Sequence, residues 1–348
     1  MHRSTSPAHT RARRAWFSRN AAAASALLAT AALAAVGNHL AAKRAERRNP
    51  PRGNFVEVDG VRLHYIERGR GRTVVLIHGN GVTSEDYVLS GLFDRLAVSC
   101  RVIAIDRPGF GYSERPRNRR WTAADQARVV LSALTKLNVG DAVLVAHSWG
   151  TLVALQAGLH EPDRIAGLVL IAGYYFPTPR VDAPLLSGPA VPVLGDIMRF
   201  TVSPLIGWLM TPLVEKQIFS PAKVPPRFRQ GFAADMSLRP SQLRSTAADT
   251  AMMPFEAAKL VPHLKEITGP VLVLTGDGDK IVSFKHQSRR LARELFGGEI
   301  QLVEGAGHMV HHTEPAQVGG AIEDFLNQIG FSPSAAVSTR ASAQPAPA

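Results

Sequence analysis

The sequence predicts an α/β fold, in which a mostly parallel sheet of eight strands is covered by helices on both faces and carries an inserted helical lid. Short apolar runs such as Thr73–Ile77 alternate with helical patterns along most of the chain. Such alternation is typical of parallel strands joined by right-handed helical crossovers. The alternation stops at about residue 174 and resumes after residue 265, which marks the insertion.

The first part of the chain carries most of the positive charge. Residues 1–52 contain ten Lys and Arg against one acid, Glu46, so nine of the twelve net positive charges lie there. The rest of the chain is nearly balanced, and a nucleic-acid-binding domain would need a basic face of its own. No nucleic-acid partner is therefore expected. Residues 1–20 are polar and basic and are predicted to be disordered.

Residues 21–42 form an uncharged, alanine-rich run that is long enough to cross a bilayer, which takes about 20 residues. Three interpretations stay open: an uncleaved membrane anchor, a cleaved secretory signal and a soluble helix. Basic residues flank the run on both sides, so charge does not decide which side of a membrane the domain faces. Membrane association through residues 21–42, or export, is the expectation. Residues 43–54 are predicted to be a charged linker, because Pro50 and Pro51 stop a helix.

The core domain is predicted in two parts, residues 55–173 and 266–330. The first part opens with a β-hairpin whose turn is Asp59-Gly60, a pair typical of a type I′ turn. Thr122 is the expected N-cap of a long helix. The predicted strands cover residues 55–58, 61–67, 73–77, 101–105, 141–146, 165–172, 270–275 and 299–303. The predicted helices cover residues 84–97, 122–137, 149–161, 284–295 and 315–326.

The inserted segment, residues 174–265, is rich in proline and methionine. A structureless loop of that length is uncommon in a compact domain, so short helices interrupted by prolines are expected. A methionine-rich lid over a pocket would suit a flexible apolar substrate. Residues 331–348 are rich in Ser, Ala and Pro and are predicted to be a disordered tail.

One serine stands at a sharp strand-to-helix turn. The apolar run of residues 141–146 is followed by His147 and Ser148, and a helical pattern begins directly afterwards. Such a turn leaves no room for bulk two residues before or after the serine, and Ala146 and Gly150 stand there. This pattern predicts a nucleophile elbow with Ser148 at its apex.

The partners that activate a serine hydroxyl follow two later strands. A serine needs a base within hydrogen-bond reach and an acid that orients the base. Asp279 follows the strand at 270–275, and His308 follows the last strand. Ligands in parallel sheets bind outside the carboxyl ends of the strands. Asp277 is a competing acid, and His311 and His312 are less favoured bases.

Together these motifs resemble the α/β-hydrolase fold superfamily over residues 55–328. The resemblance implies that Ser148 is the nucleophile, that His308 is the base and that Asp279 orients it. It also implies that backbone N–H groups of Asn80 and Trp149 form the oxyanion hole. The motifs that carry it are His78-Gly79, Asp106-Arg107-Pro108-Gly109-Phe110-Gly111-Tyr112-Ser113, His147-Ser148-Trp149-Gly150, Gly276-x-x-Asp279 and Gly307-His308.

The function expected from this resemblance is that of a serine hydrolase, which cleaves a small-to-medium apolar carboxylic ester through an acyl-enzyme. Alternatives are an aminopeptidase-like amidase, a carbon–carbon bond hydrolase and a catalytically silent binding protein. Serine at 148 argues against the haloalkane dehalogenases and epoxide hydrolases of this fold, which use aspartate. The sequence has no zinc-spaced cluster, Walker loop or dinucleotide fingerprint, so no cofactor and no metal are expected. The oligomeric state stays open.

Overall fold

The structure is a computed structural model that describes residues 7–179, 186–295 and 297–331. The start of the predicted disordered N-terminus, residues 1–6, and nearly all of the predicted tail, residues 332–348, lie outside the described residues.

An eight-stranded sheet forms the centre of the described chain, with the order β1-β2-β4-β3-β5-β6-β7-β8. Within it, β2 alone runs antiparallel to its neighbours, which confirms a mostly parallel sheet. The strands are β1 (Asn54–Val58), β2 (Val61–Arg68), β3 (Thr73–Ile77), β4 (Arg101–Ile105), β5 (Ala142–His147), β6 (Ile165–Ile171), β7 (Val271–Gly276) and β8 (Gly298–Val303).

The local signals read from the sequence recur in the structure. Asp59 and Gly60 both have positive φ, at 51° and 71°, as a type I′ hairpin requires. Thr122 caps its helix through a capping box, since its side chain accepts from Asp125 N and the Asp125 carboxylate accepts from Thr122 N. The predicted helix 84–97 is instead two short helices, because Gly91 between them adopts φ 85°.

Helices cover both faces of the sheet and bury two apolar clusters, one on each face. Continuous burial of strands such as β3, β5 and β7 follows from this double cover. The helices are α1 (Pro7–Arg48), α2 (Glu85–Ser90), α3 (Leu92–Leu96), α4 (Ala123–Lys136), α5 (Gly150–His160), α6 (Leu194–Phe200), α7 (Ser203–Phe219), α8 (Pro226–Gly231), α9 (Ala234–Ser237), α10 (Pro240–Leu260), α11 (Ser288–Glu294), α12 (Val310–Thr313) and α13 (Pro315–Gln328).

Helix α1 differs from the sequence prediction at both of its ends. It includes residues 7–20, predicted to be disordered, and residues 43–48, predicted to be linker. Alanine and arginine have high helix propensity, so the helix extends beyond the uncharged run until Asn49 and Pro50 end it. The helix is anchored to the domain that contains the sheet at its end, where Arg239 pairs with Glu46 and the Tyr112 hydroxyl donates to Asn49 O.

The insertion between β6 and β7 is helical in its described part and contributes α6 to α10. Pro212 and Pro254 lie inside α7 and α10 without ending them. Helix α10 packs against α5, and α7 returns to the domain at Phe219, which packs with Phe228 and Met309 in a small apolar cluster. The insertion therefore lies above the carboxyl ends of the parallel strands.

Candidate active site

Ser148 occupies the apex of a strained turn between β5 and α5. Its φ is +50°, a conformation that costs energy for a residue with a side chain. Ser148 N donates to Ile171 O at 2.9 Å, and Thr151 Oγ1 donates to Ser148 O at 2.6 Å. A Cβ on Gly150 would lie 2.5 Å from Ile77 O, so only glycine fits after the turn. The structure thus has the elbow that the sequence predicts.

The structure brings Ser148, His308 and Asp279 into one hydrogen-bonded chain. His308 Nε2 lies 2.9 Å from Ser148 Oγ, and His308 Nδ1 lies 2.9 Å from Asp279 Oδ2. The other carboxylate oxygen, Asp279 Oδ1, accepts from Ile281 N and Val282 N at 2.7 and 3.0 Å. Because a carboxylate can only accept, the proton lies on Nδ1 and the Nε2 lone pair faces the serine hydroxyl.

The competing acid predicted from the sequence lies elsewhere. Asp277 is exposed, and its Oδ1 accepts from Gly305 N at 2.8 Å, which closes the turn before His308. His147 faces away from the serine hydroxyl, because its Nε2 donates to His308 O at 3.1 Å. Burial and two neighbouring histidines hold the pKa of His147 well below its usual range, so it stays neutral.

His311 and His312 form a separate buried cluster with Asp86. Each histidine donates from Nε2 to one carboxylate oxygen of Asp86, at 2.8 Å. Burial alone would raise the pKa of Asp86, but the two histidines hold it well below its usual range. These three ligand atoms lie close enough together to hold a metal ion, and hydrogen bonds already satisfy them. The cluster ties α12, which follows His308, to α2.

The loop after β3 lies against the serine. A Cβ on Gly79 would come within 3.1 Å of Ser148 Cβ, so its backbone contacts the turn directly. Arg107 Nη2 and His78 Nδ1 both donate to Gly79 O, at 3.0 and 2.7 Å. In a trans peptide the N–H points opposite to the C=O. Since Gly79 O faces Arg107, the N–H of Asn80 in the same peptide bond points away from Arg107.

His78 is held neutral within this loop. Its Nε2 accepts from Arg107 N at 2.9 Å, which leaves the proton on Nδ1. Burial, followed by the nearby Arg107 guanidinium, lowers the pKa of His78 to about 4. His78 therefore shapes the loop through hydrogen bonds, and it carries no charge at neutral pH.

A buried ion pair, absent from the sequence prediction, connects the insertion to this loop. Arg107 Nη1 lies 2.6 Å from Asp249 Oδ2 on α10, and neither side chain is exposed. Arg115 pairs with the other oxygen at 2.9 Å, and Trp149 Nε1 donates to Asp249 O at 2.9 Å. The Asn80 side chain also donates to α10, at Thr246 O and Thr250 Oγ1. Helix α10 of the insertion thus contacts the residues that surround Ser148.

The turn that begins at Asp106 supports the same loop. Asp106 is buried, and its oxygens accept from His64 Nδ1, Ser84 N and Tyr112 N. Burial alone would raise the pKa of Asp106, but hydrogen bonds and the charge of His64 lower it. A Cβ on Gly111 would overlap the Asp106 carboxylate at 1.9 Å, so this turn needs glycine. Asp106 is therefore structural.

Comparisons with known proteins agree with this geometry. The family model of the alpha/beta hydrolase fold matches residues 72–315. The chain is 28% identical over 292 residues to a 2-hydroxymuconate semialdehyde hydrolase of Pseudomonas sp. (strain CF600), covering 81% of this chain and 96% of that protein. Both solved structures described next are 22% identical to this chain, so they show likeness of fold.

One of these structures is a thermophilic esterase from Thermogutta terrifontis, with a TM-score of 0.64 over 80% of this chain and 99% of that chain. The other is a bacterial membrane phospholipase A, with a TM-score of 0.61. It covers 93% of this chain and 100% of its own, so the similarity extends beyond the part that the family model matches.

Proposed function

The chain belongs to the alpha/beta hydrolase fold family, and from that membership we propose that it is a serine hydrolase acting on a small-to-medium apolar carboxylic ester. The observation that carries the proposal is the chain of hydrogen bonds from Ser148 through His308 to Asp279, at 2.9 Å for each step. A serine on a strained turn with its base already in contact is arranged for nucleophilic attack.

In the proposed acylation step, Ser148 Oγ attacks the ester carbonyl carbon while His308 Nε2 takes the hydroxyl proton. Asp279 stabilises the imidazolium that forms, and the backbone N–H groups of Asn80 and Trp149 donate to the carbonyl oxygen as it becomes negative. The C–O bond to the leaving alcohol then breaks, and His308 gives its proton to that oxygen. The acyl group remains on Ser148.

In the deacylation step, His308 takes a proton from water as the water oxygen attacks the acyl carbon. The second tetrahedral intermediate collapses, the bond to Ser148 Oγ breaks, and His308 returns the proton to the serine. The products are a carboxylic acid and an alcohol, and the enzyme regains its starting protonation state. No cofactor enters either step.

A carbon–carbon bond hydrolase is the second candidate, because the 28% identical relative is named as a 2-hydroxymuconate semialdehyde hydrolase. The aminopeptidase-like alternative is less well supported by the insertion. Three of its acids, Asp196, Asp235 and Asp249, are each paired with an arginine, so these three are already neutralised and poorly suited to binding a substrate ammonium group.

The association with a membrane is also a proposal. Helix α1 is long and apolar enough over Arg19–Arg48 to cross a bilayer, and an apolar run of 18 residues within it is not buried. A secretory signal sequence has a similar apolar composition near the N-terminus. We propose that α1 anchors the hydrolase at a membrane surface.

The test is a comparison of initial rates on p-nitrophenyl esters of increasing acyl length and on 2-hydroxymuconate semialdehyde, using the full chain in detergent. Ester turnover that disappears in Ser148→Ala and persists in Ser241→Ala, an exposed serine on α10, would support the proposal. Turnover of the semialdehyde alone would favour the second candidate. Ester turnover that survives in Ser148→Ala would overturn the mechanism.

A further inference from the structure

Helix α7 has an apolar surface that a water-facing helix does not normally show. Residues 203–214 contain no charged side chain. The apolar side chains on it are 43–65% exposed and, at about 100° per residue, they cover more than half of the helix circumference. They are Leu205, Ile206, Trp208, Leu209, Met210, Leu213 and Val214. Soluble surface helices have a polar outer face, so this surface calls for an apolar partner.

The neighbouring helix α6 extends the same surface. Its residues Leu194 and Ile197 are 55% and 56% exposed, and Val202, between the helices, is 48% exposed. The two helices meet at a bend of 67°. We call the exposed apolar side chains of α6 and α7, residues 194–214, the apolar insertion face.

The apolar insertion face adjoins helix α1. Asn38 Nδ2 donates to Phe200 O and Thr201 O, at 2.8 and 2.7 Å, where α6 ends. These hydrogen bonds satisfy carbonyl groups that a helix end leaves free. A groove between α1 and α7 is lined by Asn38 and Ala42 on one side and by Leu205 and Trp208 on the other. Both exposed apolar surfaces therefore meet at one place.

The length of α1 indicates how deep these two apolar surfaces would lie in a bilayer. The uncharged residues 21–42 rise about 33 Å at 1.5 Å per residue, which matches a hydrocarbon core of about 30 Å. Asn38 lies near the domain end of this run, so the α7 residues beside it lie at the level of the membrane interface. Trp208, 65% exposed, stands at this level, where tryptophan is enriched in membrane proteins.

Charge changes at the same level. Lys43, Arg44, Arg47 and Arg48 follow the uncharged run directly and are exposed. Basic residues at this position attract anionic lipid headgroups. On α7, the first charged residues are Glu215 and Lys216, as the helix approaches the domain. The four basic residues thus lie at the level of the lipid headgroups, and the apolar insertion face lies next to them at the level of the hydrocarbon.

Helix α7 is not arranged to cross the bilayer itself. Its 17 residues span about 26 Å, and both of its ends are fixed to the rest of the protein. Its first turn adjoins the carbonyl groups that Asn38 binds, and Phe219 at its end is buried against Met309. A helix held at both ends can lie on the membrane surface with its apolar side inserted.

We propose that the apolar insertion face docks into the surface of the bilayer that α1 spans, so that the insertion covering the active site rests on lipid. This proposal rests on the membrane anchoring proposed above. Docking would place the insertion, whose helix α10 contacts the active-site loop at Asn80, beside the acyl esters of the membrane lipids.

The test places an environment-sensitive NBD fluorophore on introduced cysteines of the full chain, reconstituted in nanodiscs of phosphatidylcholine and phosphatidylglycerol. The native Cys100 is buried, so unmodified protein serves as the labelling blank. Leu209→Cys reports on the apolar insertion face and Leu28→Cys on α1. Val98→Cys is the matched control, because Val98 is 88% exposed and precedes β4, at the amino ends of the parallel strands and so opposite to the insertion.

If the face docks, the fluorophore at position 209 should emit at a shorter wavelength, be quenched by nitroxide-labelled lipid and be protected from aqueous iodide. The fluorophore at position 98 should be quenched by iodide and not by the labelled lipid. If the fluorophore at position 209 is quenched by iodide like that at position 98, while the one at position 28 is quenched by lipid, docking is overturned. The proposal that α1 is a membrane anchor would then still stand. Protection from iodide without quenching by lipid would indicate a second copy of the chain and would also overturn docking. Repeating the test in Ser148→Ala separates it from hydrolysis, which is assayed independently.

Discussion

The buried pair between Arg107 and Asp249 gives the sharpest prediction about stability. In Asp249→Asn the side chain keeps its shape and loses its charge, while Arg107 stays fully buried among its other partners. Removing one partner of a buried ion pair costs about 3–5 kcal/mol, because the remaining charge is left uncompensated. At an effective dielectric constant of 20, two charges 4 Å apart interact by about 4 kcal/mol, which agrees with that range. Arg115 loses the same partner.

The free energy of unfolding of the full chain in detergent, measured by urea denaturation with circular dichroism, checks this value. The matched control is Asp94→Asn, whose partner Arg68 is 64% exposed. An exposed pair contributes about 0–1 kcal/mol, so that variant should unfold almost like the native protein. If the free energy of unfolding fell by the same small amount in both variants, the prediction would be refuted. The carbonyl groups around Arg107 would then be sufficient to stabilise its charge without Asp249.

Three further predictions concern the site. Gly150→Ala places a Cβ 2.5 Å from a backbone oxygen, so the free energy of unfolding should fall by about 1–3 kcal/mol; an unchanged melting temperature would refute this. His78 has a folded pKa of about 4 against its ordinary 6.5, so stability should decrease by about 3 kcal/mol as the pH falls from 6.5 to 4. Urea denaturation across that range, compared with His78→Gln, measures the loss, and equal pH dependence of the two proteins would contradict it. Asp279→Asn should lower kcat by about 10⁴-fold, while Asp277→Asn should leave kcat near the native value in the same ester assay.

The sheet and the proximity of Ser148, Asp279 and His308 could be predicted because their signals are local. Each strand is a short apolar run, and Ser148, Asp279 and His308 each follow a strand, so the parallel topology brings them together. The small residues Ala146 and Gly150 mark the turn, since packing against β3 excludes larger side chains at position 150.

The contacts that support the site could not be predicted, because their partners are far apart in sequence. Arg107 and Asp249 are separated by 142 positions, and Asp86 and His311 by 225. An acid in the insertion looks like any surface acid until α10 is placed over the loop after β3. The one local signal is Arg107 itself, a charged residue inside the turn that begins at Asp106.

The predicted extent of α1 is too short, because charge and helix propensity give opposite indications at its ends. Residues 43–48 are charged enough to resemble a linker, yet they are strong helix formers that continue from the alanine-rich run. Tertiary contacts at Glu46 and Asn49 then fix this helical end to the domain. Those contacts give the helix a defined place beside the insertion.

The central claim is that Ser148 is a nucleophile activated by His308. The most direct measurement is intact-mass analysis of the full chain in detergent after treatment with a fluorophosphonate, followed by mapping of the modified peptide. We predict a single adduct on Ser148, absent in Ser148→Ala and strongly slowed in His308→Ala. No adduct in a protein shown to be folded, or an adduct that forms equally fast without His308, would contradict the claim.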